Sequence, residues 1–198
     1  MHIQAVIFDL DGTLTEPFFD FDAIREEMGL SKDAGPVLEV MRSMNPQQCR
    51  EAETILYEHE HRAVVESTLN PGARETLDWL HQQDIRIGVL TRNRRENAEA
   101  VAQKHSLTFD GIIGRDDGPV KPDAFGVLGL CRQFGVQPRH TMVVGDYLFD
   151  ILCAKSAGAV AVLLMNQQRA EEFAAHADFT IDRVDEIIEI ISNIQSEV

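Results

Sequence analysis

Cysteine and basic side chains are both scarce in this chain, and each shortage removes a class of function. Cys49, Cys131 and Cys153 are the three cysteines in 198 residues. They have neither metal-site nor redox-motif spacing, and an odd number builds no disulfide framework, so they are expected as buried thiols. Lys and Arg number 18 against 33 Asp and Glu, a formal net charge of -15. Nucleic-acid backbones and anionic membrane surfaces both require a basic footprint, so neither is expected as a partner. A small anionic substrate is compatible where a divalent ion and one or two basic side chains invert the field locally. No apolar run approaches the ~20 residues that span a bilayer. The N-terminus leads directly into a strand-like run instead of a signal peptide, so a cytoplasmic protein is expected. Gly-x-Gly-x-x-Gly and the phosphate loop ending in Gly-Lys-Ser/Thr are missing after that strand.

What the first strand does carry is a pair of acids. Ala5-Val6-Ile7-Phe8 is followed by Asp9-Leu10-Asp11-Gly12-Thr13-Leu14-Thr15. Strand side chains alternate, so Asp9 and Asp11 point the same way while Leu10 turns into the core. Two acids held together repel unless a cation or a shared proton relieves them, which calls for a metal. Aspartate and glycine are also ordinary turn residues. A calcium loop fits poorly, because Gly12 stands fourth from Asp9 and the flank is strand-like.

From residue 71 onward helices and strands alternate, the pattern of a doubly wound, Rossmann-like parallel α/β sheet. Helices are expected from Asn70-Pro71-Gly72, with Asn70 as cap, and over 93–104, 122–134, 147–157 and 184–194. Strands are expected at 85–90, 109–113, 141–144, 160–164 and 179–181. Residues 16–70 break the alternation, with helices near 21–28, 35–42 and 46–66. They read as an all-helical cap or lid inserted after the first strand, leaving 1–15 and 71–198 as the core. Pro17 and Asn70-Pro71-Gly72 are expected as hinge ends.

Strand carboxyl ends converge on one crevice in such a sheet. Asp9 and Asp11, then Thr91-Arg92-Asn93, Lys121, Asp146 and Asp150 follow successive strands or their loops. Alone, each has an ordinary role. Thr91 suits a helix cap, Lys121 a solvated loop, and Asp150 an exposed first turn. Arg94 and Arg95 are expected at a solvent-facing helix start. Phe18, Phe19 and Phe21 suit either a pocket lining or lid packing. His59 and His61 lack a zinc motif and are expected on the surface. Together the strand ends supply what metal-assisted phosphoryl transfer needs.

The Asp-x-Asp-Gly-Thr-Leu-Thr start, Thr91, Lys121-Pro122 and Gly145-Asp146 with Asp150 resemble the four ordered motifs of the haloacid dehalogenase-like superfamily. The helical segment is similar to the small cap of its phosphoglycolate phosphatase-like branch. The resemblance implies Asp9 as nucleophile and Asp11 as proton donor and then base. It implies Mg2+ held by Asp9, Asp146 and the backbone carbonyl of Asp11, with Asp150 reaching a bound water or orienting the other ligands. Thr91, Lys121, the backbone N–H groups around Leu10 and Asp11, and Arg92 would cradle the phosphoryl group. The dehalogenases that named the superfamily use neither a second aspartate in place of Asp11 nor the metal-binding acids.

The resulting expectation is a magnesium-dependent phosphatase acting on a small phosphorylated metabolite. A phosphosugar mutase, a phosphonate hydrolase using Lys32, and a binding module without turnover are the alternatives. The sequence leaves both substrate and oligomeric state open.

Overall fold

A computed structural model describes residues 2–196. The chain divides into two compact units, residues 1–17 with 68–198, and the intervening 18–67. In the first unit, strands β1 (Ala5–Phe8), β2 (Arg86–Leu90), β3 (Gly111–Ile113), β4 (Thr141–Gly145), β5 (Val160–Leu164) and β6 (Phe179–Ile181) form one sheet. Their order is β3-β2-β1-β4-β5-β6, and every pairing is parallel. β1 lies at the centre, with Val6 opposite Ile87 on one side and Met142 on the other. Its four residues are fully buried. That is why the central strands read as continuous apolar runs rather than alternating ones.

Helices α4 (Ala73–Gln82), α5 (Arg95–His105), α6 (Phe125–Phe134), α7 (Leu148–Ala157), α8 (Ala170–Ala174) and α9 (Glu186–Ser196) connect or follow these strands. Between them and the sheet lies a core that includes Ile7, Leu130, Val143, Ile151 and Leu163. The doubly wound fold expected from the sequence is therefore present; α8 is an additional short helix, and the other elements fall where expected to within a few residues.

Several helix starts differ, for a shared reason. Asn70 does not cap α4; its Nδ2 donates to the carbonyls of Gly12 (2.9 Å), Thr13 (2.8 Å) and Thr15 (3.0 Å). Gly72 takes the cap position instead. α5 starts at Arg95 rather than Asn93, because Thr91 Oγ1 accepts from Asn93 N and Asn93 Oδ1 accepts from Arg94 N. α6 starts at Phe125, whose N–H is taken by Asp123 Oδ1 at 2.8 Å. β3 shortens because Asp110 Oδ2, a side-chain atom, accepts from Ile87 N. In each case a side chain competes successfully for a backbone group.

Residues 18–67 form the helical unit: α1 (Phe21–Glu27), α2 (Val37–Met41) and α3 (Pro46–Glu66). α3 opens on a capping box, with Asn45 Oδ1 accepting from Gln47 N and Gln48 N while Gln48 Oε1 accepts from Asn45 N. Ile24, Val37, Met41, Ala52 and Leu56 make its core, with Phe19 packed against them. Phe18 and Phe21 are exposed. Lys32 is exposed too and stands 3.9 Å from Asp22.

His59 corrects an expectation. It is buried, at 7% exposure, because it continues the Ala52, Leu56, Ala63 face of α3. Arg62 Nη2 donates to His59 Nδ1 (2.8 Å), which makes Nε2 the donor to Glu27 Oε2 (3.0 Å). His61, on another face, is exposed. Cys49 is half-buried, whereas Cys131 and Cys153 are buried, and all three are free. Among the described residues no helix is long and apolar enough to cross a membrane.

Candidate active site

The strand order reverses at β1, which pairs with β2 on one side and β4 on the other, so the crevice at their carboxyl ends is the place where such sheets bind ligands. Asp9 stands one residue beyond β1, and its N–H continues the ladder by donating to Val144 O at 2.9 Å. Asp146 follows β4 directly, and Asp150 lies in the first turn of α7. Ligand oxygens of these three carboxylates lie within 4.8 Å of one another.

Two glycines make that closeness possible. Gly12 has a φ of 94°, and a Cβ there would overlap the Asp146 carboxylate. A Cβ on Gly145 would overlap Asp150. Hence the glycine that follows the acid pair, and the one that ends β4, are both set by space as well as backbone geometry.

Lys121 arrives from the loop between β3 and α6 and is only 3% exposed. Its Nζ donates to Asp9 Oδ1 and to Asp150 Oδ1, each at 2.6 Å. Asp150 is also fixed from its other oxygen, Oδ2, which accepts from Tyr147 N at 3.1 Å. The exposed first-turn role open to Asp150 and the solvated role open to Lys121 are thus both replaced by burial. Burial of so many acids has a cost that shows in their protonation. Desolvation drives the Asp9 carboxyl up to about 7, with Asp150 adding to the rise and Lys121 opposing it. Asp146 is pushed well above the ordinary range by burial, then by Asp9 and Asp150. For Lys121, burial works against the charge, but Asp150 and Asp9 outweigh it and hold the ammonium above its usual value. Neighbouring Cys153 is pushed up to about 12 by burial and by Asp150, which makes it an unreactive thiol.

Asp11 is half-buried on the β2 side of the site. Its Oδ2 accepts from Asn93 Nδ2 (3.2 Å) and lies 3.5 Å from Thr91 Oγ1. Leu10 is fully buried, and its carbonyl gathers the turn by accepting from Thr15 N (3.0 Å) and Thr15 Oγ1 (3.2 Å). Arg92 Nη1 donates to the Lys121 carbonyl, and its guanidinium lies 4.7 Å from the centre of the Phe149 ring. The fold therefore gathers Asp9, Asp11, Thr91, Lys121, Asp146 and Asp150 at one rim, with Arg92 against the backbone of the Lys121 loop.

Two amides at this rim, Asn166 and Gln167, were not found from the sequence, and a third, Asn93, was placed at a strand end without a role. Asn93 bonds Asp11, Gln167 Nε2 donates to Asp146 Oδ2, and Asn166 Nδ2 donates to Gly12 O at 2.6 Å. Neutral side chains leave no charge pattern. Asn166 and Gln167 nevertheless follow β5, so the rule that picked the other strand ends would have reached them.

The donor set suits a hard divalent cation: three clustered carboxylates, two of them with proton affinity raised by burial and by one another. Such a cluster, beside a buried ammonium, can bind a metal and an anionic oxygen group together.

Known proteins share the sequence pattern and the fold of this chain. The sequence pattern of the haloacid dehalogenase-like hydrolases matches residues 3–158. A haloacid dehalogenase-like hydrolase domain-containing protein of Arabidopsis thaliana is 30% identical, covering 93% of this chain and 82% of its own. A phosphoglycolate phosphatase of Chromobacterium violaceum is 29% identical over 97% of this chain and 98% of its own. Among solved structures, a hydrolase from Pseudomonas syringae superposes with a TM-score of 0.82 at 21% identity, covering 96% of this chain and 99% of that one. With the motif residues brought together at the switch point of the sheet, the chain belongs to the haloacid dehalogenase-like hydrolase family.

Proposed function

We propose that the protein is a magnesium-dependent phosphatase that hydrolyses a small phosphomonoester through an aspartyl-phosphate on Asp9. The observation that carries this reading is Lys121 Nζ, 2.6 Å from both Asp9 and Asp150 inside a cluster of acids. A buried ammonium there keeps Asp9 ionised in part and offers charge to an incoming phosphoryl oxygen. The phosphoglycolate phosphatase relative supports the same chemistry, and phosphoglycolate is the first compound to test.

Asp9, Asp146, Asp150 and the backbone carbonyl of Asp11 are the groups assigned to Mg2+, which when bound supplies positive charge to the acids and the phosphoryl oxygens. In the first step a carboxylate oxygen of Asp9 forms a bond to phosphorus as the bond to the ester oxygen breaks. The departing oxygen keeps the bonding electrons and takes the proton of Asp11. In the second, water attacks the acyl phosphate, gives a proton to Asp11 and releases phosphate, returning Asp9 as carboxylate. Thr91, Lys121 and the N–H groups of Leu10 and Asp11 are assigned to the phosphoryl oxygens. Arg92 is assigned to the rim of that cradle, through its hold on the Lys121 loop.

The helical unit 18–67 is assigned the role of a cap that selects the leaving group. Three free cysteines fit a reducing, cytoplasmic compartment. Phosphate release from a panel of phosphomonoesters, with Mg2+ and with chelator, tests the reading. Activity that requires Mg2+ and disappears in Asp9→Asn supports it; a panel without any such activity refutes it. Turnover of a sugar bisphosphate with no free phosphate would instead identify a mutase.

A further inference from the structure

The geometry points to Asn93, locked in place by Asn97, as the positioning residue of Asp11. This rests on the phosphatase reading and adds a residue pair outside the motif positions. Asn93 lies in the loop between β2 and α5 and is 5% exposed; Asn97, in the first turn of α5, is 9% exposed. The two ends of an asparagine amide have nearly the same shape, so only their partners decide which way it faces. Here the decision is unambiguous. Asn93 Oδ1 accepts from Arg94 N and from Asn97 Nδ2, both at 2.8 Å. Turning the amide over would set its NH2 group against two donors. Asn93 Nδ2 is therefore obliged to face Asp11, to whose Oδ2 it donates at 3.2 Å.

Thr91 belongs to the same arrangement, since its Oγ1 accepts from Asn93 N at 2.9 Å and lies 3.5 Å from the same Asp11 oxygen. A carboxylic acid that accepts donors on Oδ2 has its carbonyl oxygen there and carries its proton on Oδ1. The Asn97–Asn93 relay thus selects which oxygen of Asp11 holds the proton and where that oxygen points. In the first step the proton passes from Asp11 Oδ1 to the ester oxygen as its bond to phosphorus breaks, and the second step returns a proton from water to Asp11. Orientation errors at this atom penalise a leaving group that needs the proton and spare one that does not.

The test compares phosphoglycolate or glycerol phosphate, whose alkoxide leaves only with a proton, against p-nitrophenyl phosphate, whose phenolate leaves without one. In Asn97→Leu, turnover of the alkyl ester is expected to fall by ~10–100-fold, up to the lower end of the ~100–10,000-fold that general acid catalysis supplies, because the acid is misoriented and not removed. The rapid first burst of nitrophenolate is expected to stay within about twofold of wild type, since that step bypasses the acid. Asn93→Ala repeats the pattern, and circular dichroism verifies that whichever variant is used is folded. Equal loss on both esters, or no loss on either, overturns the assignment while the phosphatase reading stands. Wild-type protein that releases phosphate from none of these esters overturns that reading and the assignment with it.

Discussion

In metal-free protein, Asp9→Asn is expected to raise thermal stability at mildly alkaline pH while abolishing turnover. Burial moves the Asp9 carboxyl from 3.8 to about 7, so the folded state holds its proton more tightly than the unfolded chain does. A raised acid contributes its full stability below the unfolded value and loses it as pH rises through about 7, the gap corresponding to a ceiling of about 4 kcal/mol. Asparagine keeps the shape, carries no charge and never pays that penalty. At ~2–4 °C per kcal/mol for a chain of this size, the variant is expected to melt roughly 5–15 °C above wild type near pH 8, with less than half that difference near pH 5. The assay is thermal unfolding in chelator across that range, repeated with Mg2+. The cation is expected to remove most of the wild-type deficit, because it binds the ionised acids and not the unfolded chain. A wild-type midpoint that does not fall between about pH 5 and 8 in chelator, or an Asp9→Asn midpoint that falls as steeply, refutes the reasoning.

Lys121→Met removes both 2.6 Å ion pairs and leaves Asp9 and Asp150 without their cation, so a loss of ~3–5 kcal/mol is expected in denaturant titrations of the metal-free protein. Gly12→Ala combines a φ of 94° with overlap on Asp146; it is expected to cost more than about 1 kcal/mol and to weaken Mg2+ binding measured by calorimetry. His59→Ala removes a buried ring from the Ala52, Leu56, Ala63 face of α3, together with its bonds to Arg62 and Glu27, and a melting experiment is expected to register a loss of ~1–3 kcal/mol from the space left behind.

Acids and strand ends were the most legible parts of this sequence. The apolar runs before Asp9 and Gly145-Asp146 identify buried parallel strands, and a fixed rule of α/β sheets then places the residues just beyond those strands in one crevice. Helix starts were less legible, because Asn70, Thr91, Asn93 and Asp123 commit their side chains to nearby backbone in ways that propensity does not encode. His59 shows a different limit. Its polarity argued for the surface, while its place among Ala52, Leu56 and Ala63 argued for the interior, and the packing face prevailed. The amides of Asn93 and Gln167 belong to the site through partners distant in sequence, which only the folded sheet supplies.

The first unit also records how it tolerates an interruption of fifty residues, 18–67, a short turn beyond Asp9. Thr15 bridges to Leu69 in antiparallel fashion, Glu16 N donates to Thr68 O at 2.9 Å, and Asn70 clasps the turn beyond Asp11 from the returning stretch of chain. Departure and return are neighbours on the same backbone ladder. Loop length costs little once its ends are pinned together, growing only with the logarithm of the residues between. The interruption is therefore a socket: its rim is fixed by hydrogen bonds within the sheet-bearing unit, and segments of very different size can be seated there without moving Asp9.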